Sequence, residues 1–364
     1  MGTVYLHIGV PKTGTTSVQR FLMKNREILE QKGYTYPDFG FLYPGVGPAR
    51  NAYFVAQTGK ENFQDEWADS FRQLERLGKT WDHIILSDEA VWNRQKPPGF
   101  WSKVRQKFDE IGLKFHVICY LRRQDTLVES FWNQRVKGKG KMTMPFEEFL
   151  IEKYKFMPMA YDEWLDRIVE EGKPDELTIK VFERGQLLGG SVVDDFCDVI
   201  GMPVTTEFAM PKDSNSSFDA DVVAIKRMIN RDRSFQDVYD FYYDATQATY
   251  DPGEDRKGPK MSMFSPEGRR AFMAQFEQGN QYVAKKYFGR ENGELFYERV
   301  EDVPQWEPDA ERMLEAAVRV FSGADILLYK RIEELERKMT IMYNSLPARM
   351  YRKVRGIEER EDEA

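Results

Sequence analysis

A chain of 364 residues, 41% of them apolar and 14% aromatic, can bury a full hydrophobic core and fold alone as one large domain or two ordinary ones. Its formal net charge of −7 excludes a surface that attracts nucleic acid as a whole, so no nucleic-acid partner is expected and an anionic ligand must be held by local groups. Cys119 and Cys197 each sit in an apolar stretch and are expected to be buried free thiols rather than a disulfide or metal ligands.

Taken in chain order, Met1-Gly2-Thr3 leads straight into Val4-Tyr5-Leu6-His7-Ile8 without a basic n-region, a long apolar stretch or a small-residue cleavage site. No later apolar run has the length to cross a bilayer, so a cytoplasmic protein that does not span the membrane is expected. Strands are predicted at residues 3–9, 83–87, 114–121 and 176–182, and helices at 15–32, 62–77, 101–111, 124–137, 160–171 and 186–200. Strands alternating with helices predict an α/β fold with a parallel sheet flanked by helices. Beyond residue 205 the strand signals stop, and helices are predicted at 217–230, 235–247 and 265–287. Between them, 251–259 is rich in Pro, Gly and charge and reads as an exposed loop, so 251–262 is a candidate lid.

The domain reading is an α/β core over 1–205, a helical extension of the same domain over 206–300, and a helical tail over 301–364. In that tail Leu328, Ile332, Leu335, Met339, Met342 and Leu346 alternate in steps of four and three, which marks 323–346 as a candidate oligomerisation helix or as a helix packed on its own domain. Glu358–Ala364 is charged and expected to fray.

Chemistry concentrates where the first predicted strand ends. Gly9-Val-Pro-Lys12-Thr13-Gly14-Thr15-Thr16-Ser17 joins a strand to a helix N-terminus, and such a turn aims unpaired backbone N–H groups and a positive dipole end at one point, suited to phosphate or sulfate. Gly9, Gly14 and Thr16 keep the P-loop spacing, but Thr15 stands at the lysine position and the loop's lysine is Lys12.

Pro11-Lys12-Thr13-Gly14-Thr15-Thr16 after an N-terminal strand resembles the 5'-phosphosulfate loop of the sulfotransferases that use 3'-phosphoadenosine 5'-phosphosulfate (PAPS), a family with a P-loop nucleotide-kinase-like fold. That family also keeps an arginine at the end of a later strand and a serine eight residues on, both binding the 3'-phosphate. Here Phe115-His-Val-Ile-Cys-Tyr-Leu121 ends at Arg122, and Ser130 follows at that spacing. A guanidinium at a strand's carboxyl end and a hydroxyl two helical turns on can converge on one phosphate, and Arg123 is a neighbour that can share the role. Weaker likenesses to bacterial carbohydrate sulfotransferases, at Val181–Arg184, Asp194–Gly201 and Phe276–Arg290, extend the resemblance to about residues 3–300.

The resemblance implies a sulfotransferase that moves a sulfuryl group from PAPS to a hydroxyl or amine, with a carbohydrate as the expected acceptor and no metal required. It implies PAPS binding by Lys12, Thr13, Gly14, Thr15, Thr16, Ser17, Arg122 and Ser130, with Lys12 also the catalytic cation. In-line transfer further needs a base. His83 and His116 begin their strands, on the side away from the ligand edge of an open parallel sheet, and His7 is read as core. Ser87-Asp88-Glu89 ends a strand on the ligand side, so Glu89 is the first candidate base. The resemblance implies Asp38 as the second, at about the distance from the loop lysine where certain glycan sulfotransferases keep a glutamate.

Two other classes stay open. Ile84-Ile-Leu-Ser-Asp-Glu89 also resembles the strand and acid that hold magnesium in P-loop kinases and NTPases. A catalytically idle PAP(S)-binding protein that assembles through its C-terminal helix is the third reading. Finally, Arg135-Val-Lys137-Gly-Lys139-Gly-Lys141 is a basic segment that either holds an anionic acceptor or is simply solvated.

Overall fold

The computed structural model describes residues 2–39, 49–58, 65–138, 141–152, 157–211, 218–232, 241–242, 244–246, 261–299 and 303–355. The chain enters through β1 (Thr3–His7), α1 (Thr15–Lys24), α2 (Arg26–Gln31), β2 (Tyr34–Thr35), α3 (Asp65–Gly78) and β3 (His83–Ser87). It continues through α4 (Ala90–Arg94), α5 (Phe100–Glu110), β4 (Lys114–Leu121), α6 (Gln124–Lys137), α7 (Phe146–Glu152), α8 (Tyr161–Arg167), β5 (Glu176–Val181) and α9 (Val192–Val199). Helices then take over, as α10 (Ala220–Arg231), α11 (Pro266–Ala274), α12 (Glu277–Phe288), α13 (Ala310–Asn344) and α14 (Leu346–Arg355).

The five strands form one parallel sheet in the order β2-β3-β1-β4-β5. Strands covered on both faces read as continuous apolar runs, and Ile84–Leu86 and Phe115–Leu121 owe their legibility to that. Leu6 lies between Leu86 and Val117, and His7 between Ser87 and Ile118. Val18, Phe21 and Leu22 of α1 and Val193 and Phe196 of α9 pack on one sheet face with Ile85, Ile118 and Tyr120. Phe115, three positions before Ile118 and so on the other face, stacks on Phe108 of α5 at 4.6 Å.

Local chemistry explains where predicted and observed elements differ. The helix expected at 15–32 breaks at Asn25, whose Nδ2 donates to the Phe21 and Ala209 carbonyls (2.8 and 3.1 Å) while its Oδ1 accepts from the Ala209 amide (2.8 Å). A short amide side chain here competes for backbone groups and ties down a segment far along the chain. In the stretch expected to be helical over 186–200, Gly189 and Gly190 take positive φ, and α9 starts only after Ser191, whose hydroxyl accepts from the Asp194 amide. Strand β2, with two residues, and α4, with five, are too short to show a periodicity. The span expected as one helix over 265–287 is two, α11 opening with Pro266 behind the Ser265 cap. Most of the helix expected at 235–247, and all of the candidate lid except Met261 and Ser262, lie outside the described residues.

Two compact units emerge. Met1–Trp132, Met144–Ser216 and Met261–Gln305 make the first, which contains the sheet. Asn133–Thr143, Ser217–Lys260 and Trp306–Ala364 make the second, where α13 packs against α10. In that unit Asp221 holds the Trp306 indole N–H (2.7 Å) and Arg312 Nε (3.2 Å), and Asn230 Nδ2 donates to the Val136 and Met142 carbonyls. Among the described residues no helix is long and apolar enough to cross a membrane, and Cys119 and Cys197 are buried free thiols.

Candidate functional site

In a parallel sheet all carboxyl ends meet along one edge, and in the first unit that edge gathers the loop after β1, the end of β3 and the end of β4. Beyond His7 the chain stays beside β4, with the Ile8 amide donating to the Ile118 carbonyl (3.0 Å) and the Val10 amide to that of Tyr120 (3.3 Å). It then turns sharply: Lys12 and Gly14 take φ of 69° and 77°, and Thr13 Oγ1 donates to the Val10 carbonyl at 2.6 Å. Glycine is needed at positions 9 and 14. A Cβ on Gly9 would stand 2.6 Å from the Thr15 methyl, and one on Gly14, already left-handed, 2.7 Å from Val192 Cγ1.

Gly14 precedes α1, and its carbonyl accepts from the Ser17 and Val18 amides. No side chain caps this helix, so the amides of Thr13, Gly14, Thr15 and Thr16 donate to no acceptor among the described residues. Orphan N–H groups at a helix start carry the positive end of its dipole. Thr13 and Thr15 are buried, Ser17 is half-buried and Thr16 faces solvent.

Arg122 closes the loop from the β4 side. Its Nη1 donates to the Lys12 carbonyl (2.5 Å), its Nε to Thr126 Oγ1 (3.2 Å), and its guanidinium lies 5.8 Å from the centre of the Phe182 ring at the end of β5. Tyr161 Oη holds the Arg122 carbonyl at 2.5 Å. Ser130 lies one turn beyond Thr126 on the same face of α6, and its hydroxyl makes no hydrogen bond among the described residues. Burial lowers the pKa of Lys12, and the neighbouring Arg122 lowers it further against the pull of Glu89. Burial likewise lowers that of Arg122. Two partly desolvated cations therefore belong to the same edge of the sheet as the unbonded amides.

On the β3 side, Glu89 Oε2 accepts from Thr15 Oγ1 at 2.8 Å. Its neighbour Asp88 is fully buried, ion-paired to Arg50 at 2.6 Å and bonded to the Ala90 amide at 2.7 Å. Burial raises the Asp88 carboxyl to about 6, outweighing Arg50, and its Oδ2 has no partner among the described residues.

His7 lies buried beneath the loop. Its Nδ1 shares a 2.9 Å hydrogen bond with Ser87 Oγ, which also accepts from Gln19 Nε2, while its Nε2 has no partner among the described residues. Packed against Tyr120 and Phe196, the imidazole is pushed down to about 3 by burial and stays neutral at neutral pH.

Other sequence candidates lie elsewhere or are committed. Asp38 is exposed and paired with Arg26 at 3.3 Å. His83 and His116 occupy the opposite edge of the sheet, His83 stacked on Tyr34 at 4.6 Å and His116 bonded to Thr178 at 2.7 Å. Arg123 Nε pairs with Asp125 (3.1 Å) and its Nη1 with the Glu298 carbonyl (3.0 Å), so it helps fasten the returning segment 261–305. Arg269 to Asp125 and Ser262 to Glu129 fasten that segment too. Arg135, Lys137 and Lys141 belong to the second unit, and Lys139 lies outside the described residues.

Sequence reasoning missed Arg50, Asp88, Thr126 and Phe182. Thr126 was open to discovery, four residues after Arg122 at a helix start, and Asp88 adjoins Glu89. Arg50 lies in a stretch without periodicity and reaches Asp88 only through the fold.

No protein-family model matches the chain, and no solved structure matches it. An uncharacterised protein of Archaeoglobus fulgidus is similar, at 27% identity over 200 residues. The aligned part is 52% of each protein, so the chain spans about half the length of that relative.

Chemically, this edge can hold an anion between the α1 amides, Lys12 and Arg122. It also presents a carboxylate, Glu89, next to that anion. A bound phosphate or sulfate would relieve the repulsion between the two cations and satisfy the free amides together.

Proposed function

We propose that the chain is a sulfotransferase that moves a sulfuryl group from PAPS to the hydroxyl or amine of an acceptor, with a carbohydrate as the expected acceptor. The observation that carries this reading is the meeting of Lys12 and Arg122, 110 positions apart, at the unbonded amides of α1 with Glu89 alongside. The donor fits the residues present. The amides of Thr13 to Thr16, which have no acceptor among the described residues, offer a phosphosulfate a place against the backbone, while Arg122 with Ser130 offers a second phosphate site along α6.

PAPS supplies the activated sulfuryl group: its bond from sulfur to the bridging phosphate oxygen breaks as a bond from sulfur to the acceptor oxygen or nitrogen forms. Lys12 neutralises the charge that grows on the departing oxygen, and the α1 amides stabilise the phosphate left behind. Glu89 takes the acceptor's proton, with Thr15 Oγ1 orienting the carboxylate through its 2.8 Å hydrogen bond.

A second reading, phosphoryl transfer from a nucleoside triphosphate, draws on the same Thr15–Glu89 contact, because P-loop kinases hold magnesium with a loop hydroxyl and an acid at a strand end. The Arg122 and Ser130 pair, which a nucleotide without a 3'-phosphate would not need, and the absence of a lysine at position 15 favour the sulfuryl reading.

Incubation with PAPS labelled in its sulfate, over a panel of neutral glycans, acidic glycans, phenols and lipids in EDTA, tests the proposal. Label transferred to an acceptor and lost in Lys12→Ala is the expected result. Phosphate transfer from ATP that requires magnesium, with no sulfate transfer, would replace it by the second reading.

A further inference from the structure

We propose that α13 pairs, parallel and in register, with the same helix of a second copy of this chain. The helix has two unlike sides. Ala316, Val320, Gly323 and Ala324 are its buried residues, small enough for close packing on α10. From Asp325 to Asn344 no residue is buried, a stretch of about 30 Å at the α-helical rise.

Along that stretch Leu328, Ile332, Leu335, Met339 and Met342 fall in steps of four, three, four and three, and each is between 44% and 72% exposed. A helix packed singly on a globular body follows a period nearer 3.6, whereas strict alternation of three and four is the a/d seam of a left-handed pair. Counted backwards, the same frame puts Asp325 at a, Phe321 at d, Val318 at a and Leu314 at d, so a charge interrupts the pattern at Asp325 and the continuous apolar seam is the stretch from Leu328 to Met342.

Charge settles partner and direction. In this frame Arg331 is a g position and Glu336 the following e position, so a parallel in-register pair sets each Arg331 against Glu336 of the other copy, twice by symmetry. An antiparallel pair built on the same seam sets Arg331 against Lys338, cation against cation. Within its own unit Arg331 reaches Asp244 at 4.0 Å and its guanidinium lies 5.4 Å from the centre of the Phe241 ring, leaving its side chain half exposed. Glu333, Glu334 and Glu336 are interleaved with Lys330, Arg337 and Lys338, with Lys338 paired to Glu334. Such a mixed-sign border does not suit an anionic membrane surface, which selects a cationic one.

Sedimentation velocity with light scattering on the full chain should show a dimer, and Leu335→Glu should make it monomeric without changing its helical circular dichroism. Arg331→Glu turns two attractive pairs repulsive and should weaken the dimer about tenfold, and Arg331→Glu with Glu336→Arg should restore it. Met342→Cys should form an intermolecular disulfide under an added oxidant, since the native thiols of Cys119 and Cys197 are buried. A monomeric wild type, including one that instead binds anionic vesicles, would overturn the proposal. So would a dimer indifferent to Leu335→Glu, a charge reversal that the double variant fails to rescue, or Met342→Cys that does not cross-link.

Discussion

Arg122 gives the sharpest single-residue prediction, because its donors can be accounted for one by one. A guanidinium has five N–H groups. Nε is committed to Thr126 and one Nη1 hydrogen to the Lys12 carbonyl, while the second Nη1 hydrogen and both on Nη2 have no partner among the described residues and are left for a ligand phosphate. A hydrogen bond to a charged group contributes about 1.5–3 kcal/mol, so Arg122→Ala should raise the dissociation constant for adenosine 3',5'-bisphosphate (PAP) about 10- to 150-fold. The same change leaves the Lys12 carbonyl unpaired, so ligand-free stability should fall as well. Arg122→Lys separates the two effects, since it keeps a cation but loses the fork, and should fall between wild type and alanine in affinity. Isothermal calorimetry reads the binding, and the shift of melting temperature with ligand concentration checks it independently. If both variants bind PAP within about twofold of wild type, the phosphate is not held where Arg122 stands.

Two further outcomes follow from the site. Glu89→Gln should lower turnover by about 10²- to 10⁴-fold with little change in PAP affinity, as for loss of a positioned base, whereas Asp38→Asn at its exposed pair with Arg26 should leave turnover near normal. The opposite pattern in steady-state kinetics would move the base to Asp38. His7, held neutral with a pKa of about 3 against 6.5 when unfolded, binds its proton first in the unfolded chain, so its contribution to stability is present above pH 6.5 and is lost as the pH falls toward 3. That loss amounts to about 2 kcal/mol by pH 5. Asp88, raised to about 6, acts in the opposite sense between its two pKa values, stability rising as the pH falls from 6 toward 4. Because Asp88 is common to both proteins, urea unfolding of wild type and His7→Gln at pH 7 and pH 5 isolates the imidazole. Equal losses in the two would contradict its burial as a neutral group.

How far the sequence revealed this arrangement depended on whether a group acts locally or across the chain. The β3 and β4 strands were legible to the residue, because apolar side chains on both faces of a buried parallel strand leave an uninterrupted run. Once those strands were read as parallel, their carboxyl ends had to share an edge, which is why the loop after β1, Glu89 and Arg122 were expected near one another. The length of α1 was not legible, since the break at Asn25 depends on Ala209. Arg123 looked equivalent to Arg122 by position, yet Asp125 and the Glu298 carbonyl claim it. Arg50 gave no signal, as its pairing with Asp88 joins an irregular segment to a strand end. The apolar seam of α13 was visible as a pattern, but only the fold shows that another side of the helix packs on α10.

The proposed sulfotransferase must hold the phosphates of a 3'-phosphorylated adenine nucleotide at the edge of its sheet without a metal, which a single set of titrations can decide. Calorimetry of the full chain with PAP and with ATP, each in EDTA and again with magnesium, should show PAP binding in both buffers and ATP binding weakly in both. ATP binding tightly and only with magnesium, together with no heat from PAP, would make this edge a nucleoside triphosphate site and rule out the sulfotransferase.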